Sequence, residues 1–150
     1  MPPPMSLPAL IPGHRPDLRA GLEAMPSTRL LGLVVVGFGN GVSMIEMPVR
    51  PELTFDGRSV QGGLVGTLAD YAGVSAAISA LPAGWAASTL SFDVHTLAPA
   101  RGDRLVAVGR VIRVGKTHGV ATAEVHALTG EDAMLVATAL VTCRPFEVSR

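Results

Sequence analysis

The chain of 150 residues is long enough for one domain with a real core. Hydrophobic residues make up 48% and charged residues 16%, against about 25% charged in ordinary chains, which excludes a disordered segment and leaves little charge to cover a free surface; part of that surface is expected to be buried in an oligomer. Twelve cations and twelve anions cancel, which argues against a nucleic-acid binder, since phosphate contacts need an excess of Lys and Arg.

Residues 1–15 are proline-rich and read as a flexible arm, with a single domain over 16–150. Prolines break the apolar stretch of the arm and no basic segment precedes it, so it does not read as a secretory signal. Leu30 to Phe38, the longest apolar run, is too short for a membrane span of about 20 residues. The expectation is a soluble, cytoplasmic protein with no membrane partner.

Pro16 to Met25 reads as a short helix, started by Pro16 and stopped by Pro26. Arg29–Phe38 and Val42–Arg50 flank Asn40-Gly41 and read as a hairpin with a type I′ turn. The glycines there are spaced G-x-G-x-G with a strand after them, so a dinucleotide loop is disfavoured. Residues 51–60 read as a loop. Gln61 to Leu81 is apolar nearly all round and closed by Pro82; it reads as one buried helix of about five turns. Period-2 patterns then predict strands over Thr89–Leu97, Arg104–Val114, Val120–Leu128 and Ala133–Arg144, with Val106, Val108, Ile112 and Val114 on one face. An antiparallel sheet of about six strands wrapped around one long central helix is the economical α+β solution.

Asp70 is the only charged residue of the long helix. A lone charge there costs several kcal/mol unless something satisfies or uses it, and a structural carboxylate is as good a reading as a catalytic one. Gly63, Gly66, Thr67, Gly73, Val74 and Ala77 share its face, so that stripe is small and open to a ligand or a second helix. The helix opens with Gln61-Gly62-Gly63, whose free N–H groups could receive a carbonyl oxygen. Asp70 lies eight residues beyond Gly62, about 12 Å at 1.5 Å per residue. One helix cannot bring both groups to one carbonyl; two antiparallel helices from two copies can, so the geometry predicts a dimeric site.

Val60-Gln61-Gly62-Gly63-Leu64-Val65-Gly66-Thr67-Leu68-Ala69-Asp70 resembles the signature of hotdog-fold acyl-CoA thioesterases of the phenylacetate-degradation type. Ser91–Ala100, ending in Pro99-Ala100, resembles the family's strand after the helix, and Val111–Thr117 resembles its hairpin. The resemblance spans residues 28–144. It implies a hotdog fold, a homodimer or homotetramer, and hydrolysis of a coenzyme A thioester, with no metal and no cofactor beyond the coenzyme A of the substrate. Asp70 would be general base or nucleophile, the Gly62 N–H of the other copy would polarise the carbonyl, and Thr89 would help to hold the water. Gln61 stands where the family has His, and Phe55-Asp56 stands where many relatives have Asn. Gly63, Thr67 and Val74 on the helix, with Arg113, Gly115 and Lys116 in the hairpin, are the candidate substrate contacts. A non-catalytic acyl-CoA binder and a hotdog enoyl-thioester hydratase are the alternatives.

The remaining chemistry-bearing residues read plainly. His14, His95, His118 and His126 lack a metal-ligand spacing, and His126 is placed on a solvated or interface face. Ser75 has no nucleophile-elbow glycines around it, and Cys143 reads as a packed thiol. Arg101, Arg104, Arg110, Arg113 and Lys116 form a basic stretch that suits either a solvated strand edge or a phosphate-bearing ligand. Val65, Leu68, Tyr71, Val74 and Trp85 could shape an acyl tunnel.

Overall fold

The computed structural model describes residues 4–148. Three α-helices, α1 (Pro16–Ala24), α2 (Pro26–Leu31) and α3 (Gly62–Ser79), accompany six strands: β1 (Val34–Gly39), β2 (Val42–Pro48), β3 (Trp85–Thr96), β4 (Arg104–Val114), β5 (Gly119–Thr129) and β6 (Asp132–Glu147). The strands form one antiparallel sheet in the order β1-β2-β4-β5-β6-β3. The sheet wraps α3, as the apolar character of that helix requires. Among the described residues, no helix is long and apolar enough to cross a membrane.

Leu68, Ala69, Ala72 and Ala76 of α3 are wholly buried, with Ile45, Met47, Leu105, Ala107 and Val125 of the sheet. Small residues let the helix come down onto the strands. A Cβ at Gly109 would stand 2.0 Å from the Ala72 carbonyl oxygen, and one at Gly73 2.7 Å from Val141. Gly66 packs against Phe92 and Val94 of β3. Thus Gly66, Gly73 and Ala77, expected on an open stripe, are buried on the chain's own sheet. The open part of the stripe narrows to Gly63, Thr67, Asp70 and Val74.

Several boundaries differ from the sequence reading, each for a local reason. Pro26 stops α1 but also begins α2, because a proline suits the first helical position. Gly32, at φ 67°, is the left-handed cap of α2 rather than a strand residue, so β1 starts at Val34. Only Gly41 of the Asn40-Gly41 pair has positive φ, at 93°, which rules out a type I′ turn. Gly41 N–H donates to Ser79 Oγ and its carbonyl accepts from Val111, and these contacts hold the turn against α3 and β4. A bulge between Val111 and Arg113 breaks the alternation of β4. Ile112 is therefore exposed, and Val114 lies beside Ala77 of α3, off the face of Val106 and Val108.

The arm expected to be loose lies along the sheet. Ile11 N–H donates to Phe38 O at 2.7 Å, Arg110 Nη2 donates to Ser6 O at 3.0 Å, and Met5 packs on Val106, Val108 and Leu128. This outer face also holds His126, which is 2% exposed rather than solvated, and whose Nδ1 has no partner among the described residues. Burial lowers the His126 pKa below 6.5, and Glu124 only partly opposes it. A base whose folded pKa is depressed binds fewer protons folded than unfolded, so its contribution is complete above pH 6.5 and is lost as pH falls through the folded pKa. One proton limits the slope to about 1.4 kcal/mol per pH unit. The thermal midpoint is expected to fall between pH 7 and pH 5 (~RT ln 10 per unit at most), and His126→Gln to flatten that fall in a melting series.

Candidate active site

Asp70 sits in the middle of α3, half-buried, and lines a cavity of 490 Å³. Thr89 Oγ1 donates to Asp70 Oδ1 at 2.8 Å. Burial raises the carboxyl pKa above 3.8, and the Thr89 hydroxyl partly opposes the rise. A carboxylate poised in this way, lining a cavity and with one oxygen oriented, is suited to accept a proton from water. Behind it, Cys143 pairs with Thr89 across the β3–β6 ladder; burial and then the Asp70 charge push its thiol up, so it is an inert packed group.

Gln61 is the N-cap of α3. Its Oε1 accepts from Leu64 N–H at 3.2 Å, and its side chain folds over Gly63. The Gly62 and Gly63 N–H groups donate to none of the described residues, and a Cβ at Gly62 would meet nothing within 4 Å. Two free N–H groups at the positive end of an exposed helix terminus form a receptor for an oxygen atom. The loop before it is rigid. Asp56 accepts from the backbone N–H groups of Ser59 and Arg58, which hold its pKa down to about 2, and Arg101 Nε donates to Ser59 Oγ at 2.7 Å. Gln61 N–H donates to Leu53 O and Val60 N–H to Ala100 O, so the start of α3 is tied to the end of the β3–β4 connection. Asp56 thus serves as a turn brace where the sequence showed only a missing Asn.

Gly62 does not share Asp70's cavity. It lines a separate apolar one, of 340 Å³, with Phe55, Val65, Leu97 and Pro99. Thr67 Oγ1 donates back to Gly63 O at 2.9 Å, so that hydroxyl is spent on its own helix. Val74 lines the Asp70 cavity. Arg113, Gly115 and Lys116 are exposed at the β4–β5 turn, beside the C-terminal half of α3 and away from both cavities. His95 is exposed on β3 with its Nε2 3.3 Å from Asp93 Oδ2, and His14 Nε2 donates to Ser79 O. No group of three or more metal-ligating side chains occurs among the described residues.

Residues of α1 were missed from the sequence. Leu18, Gly21 and Leu22 of α1 and its C-cap Met25 line the Asp70 cavity, at the i, i+3, i+4, i+7 spacing of a helix face. That apolar stripe in PDLRAGLEAM was the available signal. Arg15 was missed too: 6% exposed, it donates to Ile78 O, Leu81 O, Trp85 O and both oxygens of Asp17.

Residues 58–134 match the family model described as the thioesterase superfamily. A Halobacterium salinarum protein named as an esterase is 41% identical over 107 residues, covering 68% of this chain and 69% of its own. A thioesterase family protein from Silicibacter pomeroyi has a similar structure, with TM-score 0.84 and 29% identity over 90% of this chain and 99% of its own. The E. coli PaaI protein of the phenylacetic acid degradation operon superposes with TM-score 0.75 and 25% identity over 87% of this chain and 93% of its own. With the helix-wrapping sheet and the matched segment that carries both Gly62 and Asp70, these likenesses establish that the chain belongs to the thioesterase superfamily and has the hotdog fold.

Proposed function

We propose that the protein hydrolyses an acyl- or aryl-coenzyme A thioester to the free acid and coenzyme A. The observation that carries this reading is Asp70: half-buried, held by Thr89, raised in pKa and lining a mostly apolar cavity. Asp70 accepts a proton from water as the water oxygen bonds to the thioester carbon. The oxyanion that forms is received by the Gly62 N–H of a second copy. The C–S bond then breaks, the thiolate leaves, and the proton is returned to the sulfur. Arg113 and Lys116, both exposed cations, are available to coenzyme A phosphates.

The two-copy site has a physical basis in the sheet edges. The β1 edge is stopped by Ile11 N–H and by the Arg19 guanidinium on the carbonyls of Val35 and Val36. The β3 edge has no such cover among the described residues, and Leu90 and Phe92 on β3 are 52% and 48% exposed. Pairing β3 with β3 of a second copy would cover this edge and set the two α3 helices antiparallel. A tetramer built from two such dimers, in the cytoplasm where coenzyme A esters are found, completes the reading. A non-catalytic acyl-CoA binder is the second reading, favoured by Gln61, whose carbonyl oxygen is engaged as a helix cap. Free-thiol release from a panel of aryl and aliphatic acyl-CoA esters separates the two: turnover of any ester supports hydrolysis, and tight binding of every ester without turnover overturns it.

A further inference from the structure

The Asp70 cavity is lined by three elements. Asp70, Val74 and Ile78 come from α3, Leu18, Gly21 and Leu22 from α1, and Trp85, Ala86 and Ala87 from β3. From Asp70 to Ile78 the lining follows two turns of α3, about 12 Å at 1.5 Å per residue. Asp17 also lines the cavity, and its carboxylate is engaged by Arg15 and the Gly84 N–H. That carboxylate therefore offers no free charge to a ligand.

Gly21 is the residue that packing does not explain. A glycine inside a helix costs about 1 kcal/mol relative to Ala. Its φ is not positive, so no left-handed backbone demands it, and an added Cβ would meet nothing within 4 Å. What its missing side chain leaves is room in the cavity. Resting on the thioesterase reading, we infer that α1 is the gauge of the acyl group: the cavity takes an apolar, uncharged acyl chain of medium length, laid along α3 from Asp70 towards Ile78, and Gly21 sets how far it reaches.

The test uses the full chain with straight-chain acyl-CoA esters from acetyl to palmitoyl. Gly21→Leu, a good helix former, is expected to shorten the longest ester accepted and to lower the long-to-short ratio of kcat/KM at least about tenfold, the scale on which an apolar pocket rejects one or two methylenes. Ala20→Leu places the same side chain on α1 outside the cavity and is expected to keep the wild-type profile. An unchanged length profile in Gly21→Leu, or the same change in Ala20→Leu, overturns the inference. If wild type releases no thiol from any ester, the thioesterase reading fails by itself, and the cavity is read through the fluorescence of Trp85, the chain's one tryptophan. Titration with free fatty acids from butyrate to palmitate would then show a response that Gly21→Leu loses for the longer acids. No response, or the same response in both proteins, overturns the inference.

Discussion

Asp70→Asn is expected to abolish most thiol release, with a loss of about 10²-fold or more, the range that general base catalysis supplies. The amide keeps the shape of the side chain and can still take the Thr89 hydroxyl bond, so the fold and ester binding should persist while the proton acceptor is gone. The pH profile adds a check that a merely structural role would not move. The working form of Asp70 is the carboxylate, so kcat/KM should fall as pH falls through a pKa above the usual 3.8. Thr89 opposes the rise in that pKa. Thr89→Val removes the opposing bond, so its acid limb should lie at higher pH than in wild type, with reduced activity on the acid side. A Thr89→Val limb that does not move, or that moves to lower pH, would sink the assignment. Labelled water in a single turnover tests for the nucleophile: label in Asp70 requires a covalent anhydride opened at the Asp70 carbonyl.

The features legible in the sequence were those written into local pattern. The eighteen residues of α3 carry one charge, and no amphipathic alternative competes with a buried helix. The strand over Arg104–Val114, read from its period-2 pattern, was bounded correctly. Asp70, alone in its charge, stood out for the same reason. What escaped depends on contacts between distant segments. β3 begins at Trp85 rather than Thr89 because Ala86, Ala87 and Ser88 have weak strand preference and are recruited by the β6 ladder. His126 reads as lying on a solvated or interface face until the N-terminal arm is seen on that side of the sheet. The bulges at Leu90 and Ile112 have no signature in a single sequence, yet each resets which residues face α3. The site was half legible: Gln61-Gly62-Gly63 and Asp70 lie close together in the chain, whereas the α1 residues reach the cavity only through tertiary packing.

Arg15 carries the second large effect. It sits at φ 51°, the one non-glycine with positive φ among the described residues, a conformation that costs about 1–2 kcal/mol. The strain persists because the guanidinium is over-determined. It caps the C-terminal end of α3 through Ile78 O and Leu81 O, takes Trp85 O at the start of β3, and makes a bidentate pair with Asp17. Arg15→Met would strand three carbonyls and a carboxylate. Removing one partner of a buried pair costs about 3–5 kcal/mol, and the partly exposed Asp17 puts this case at about 3. For a chain of this size that corresponds to a drop of about 6–12 °C in thermal midpoint. Arg15→Lys should recover only part of it, since an ammonium cannot reproduce the fork. The pair also has an acid signature. Arg15 holds the Asp17 carboxyl well below its usual 3.8, so the pair's contribution is complete above that value and is lost as pH falls through the folded pKa. Arg15→Met should therefore lose less stability than wild type between pH 4 and pH 2 (~Asp17's titration range), although it starts lower. Melting curves for the two proteins across that range would refute the assignment if they ran parallel.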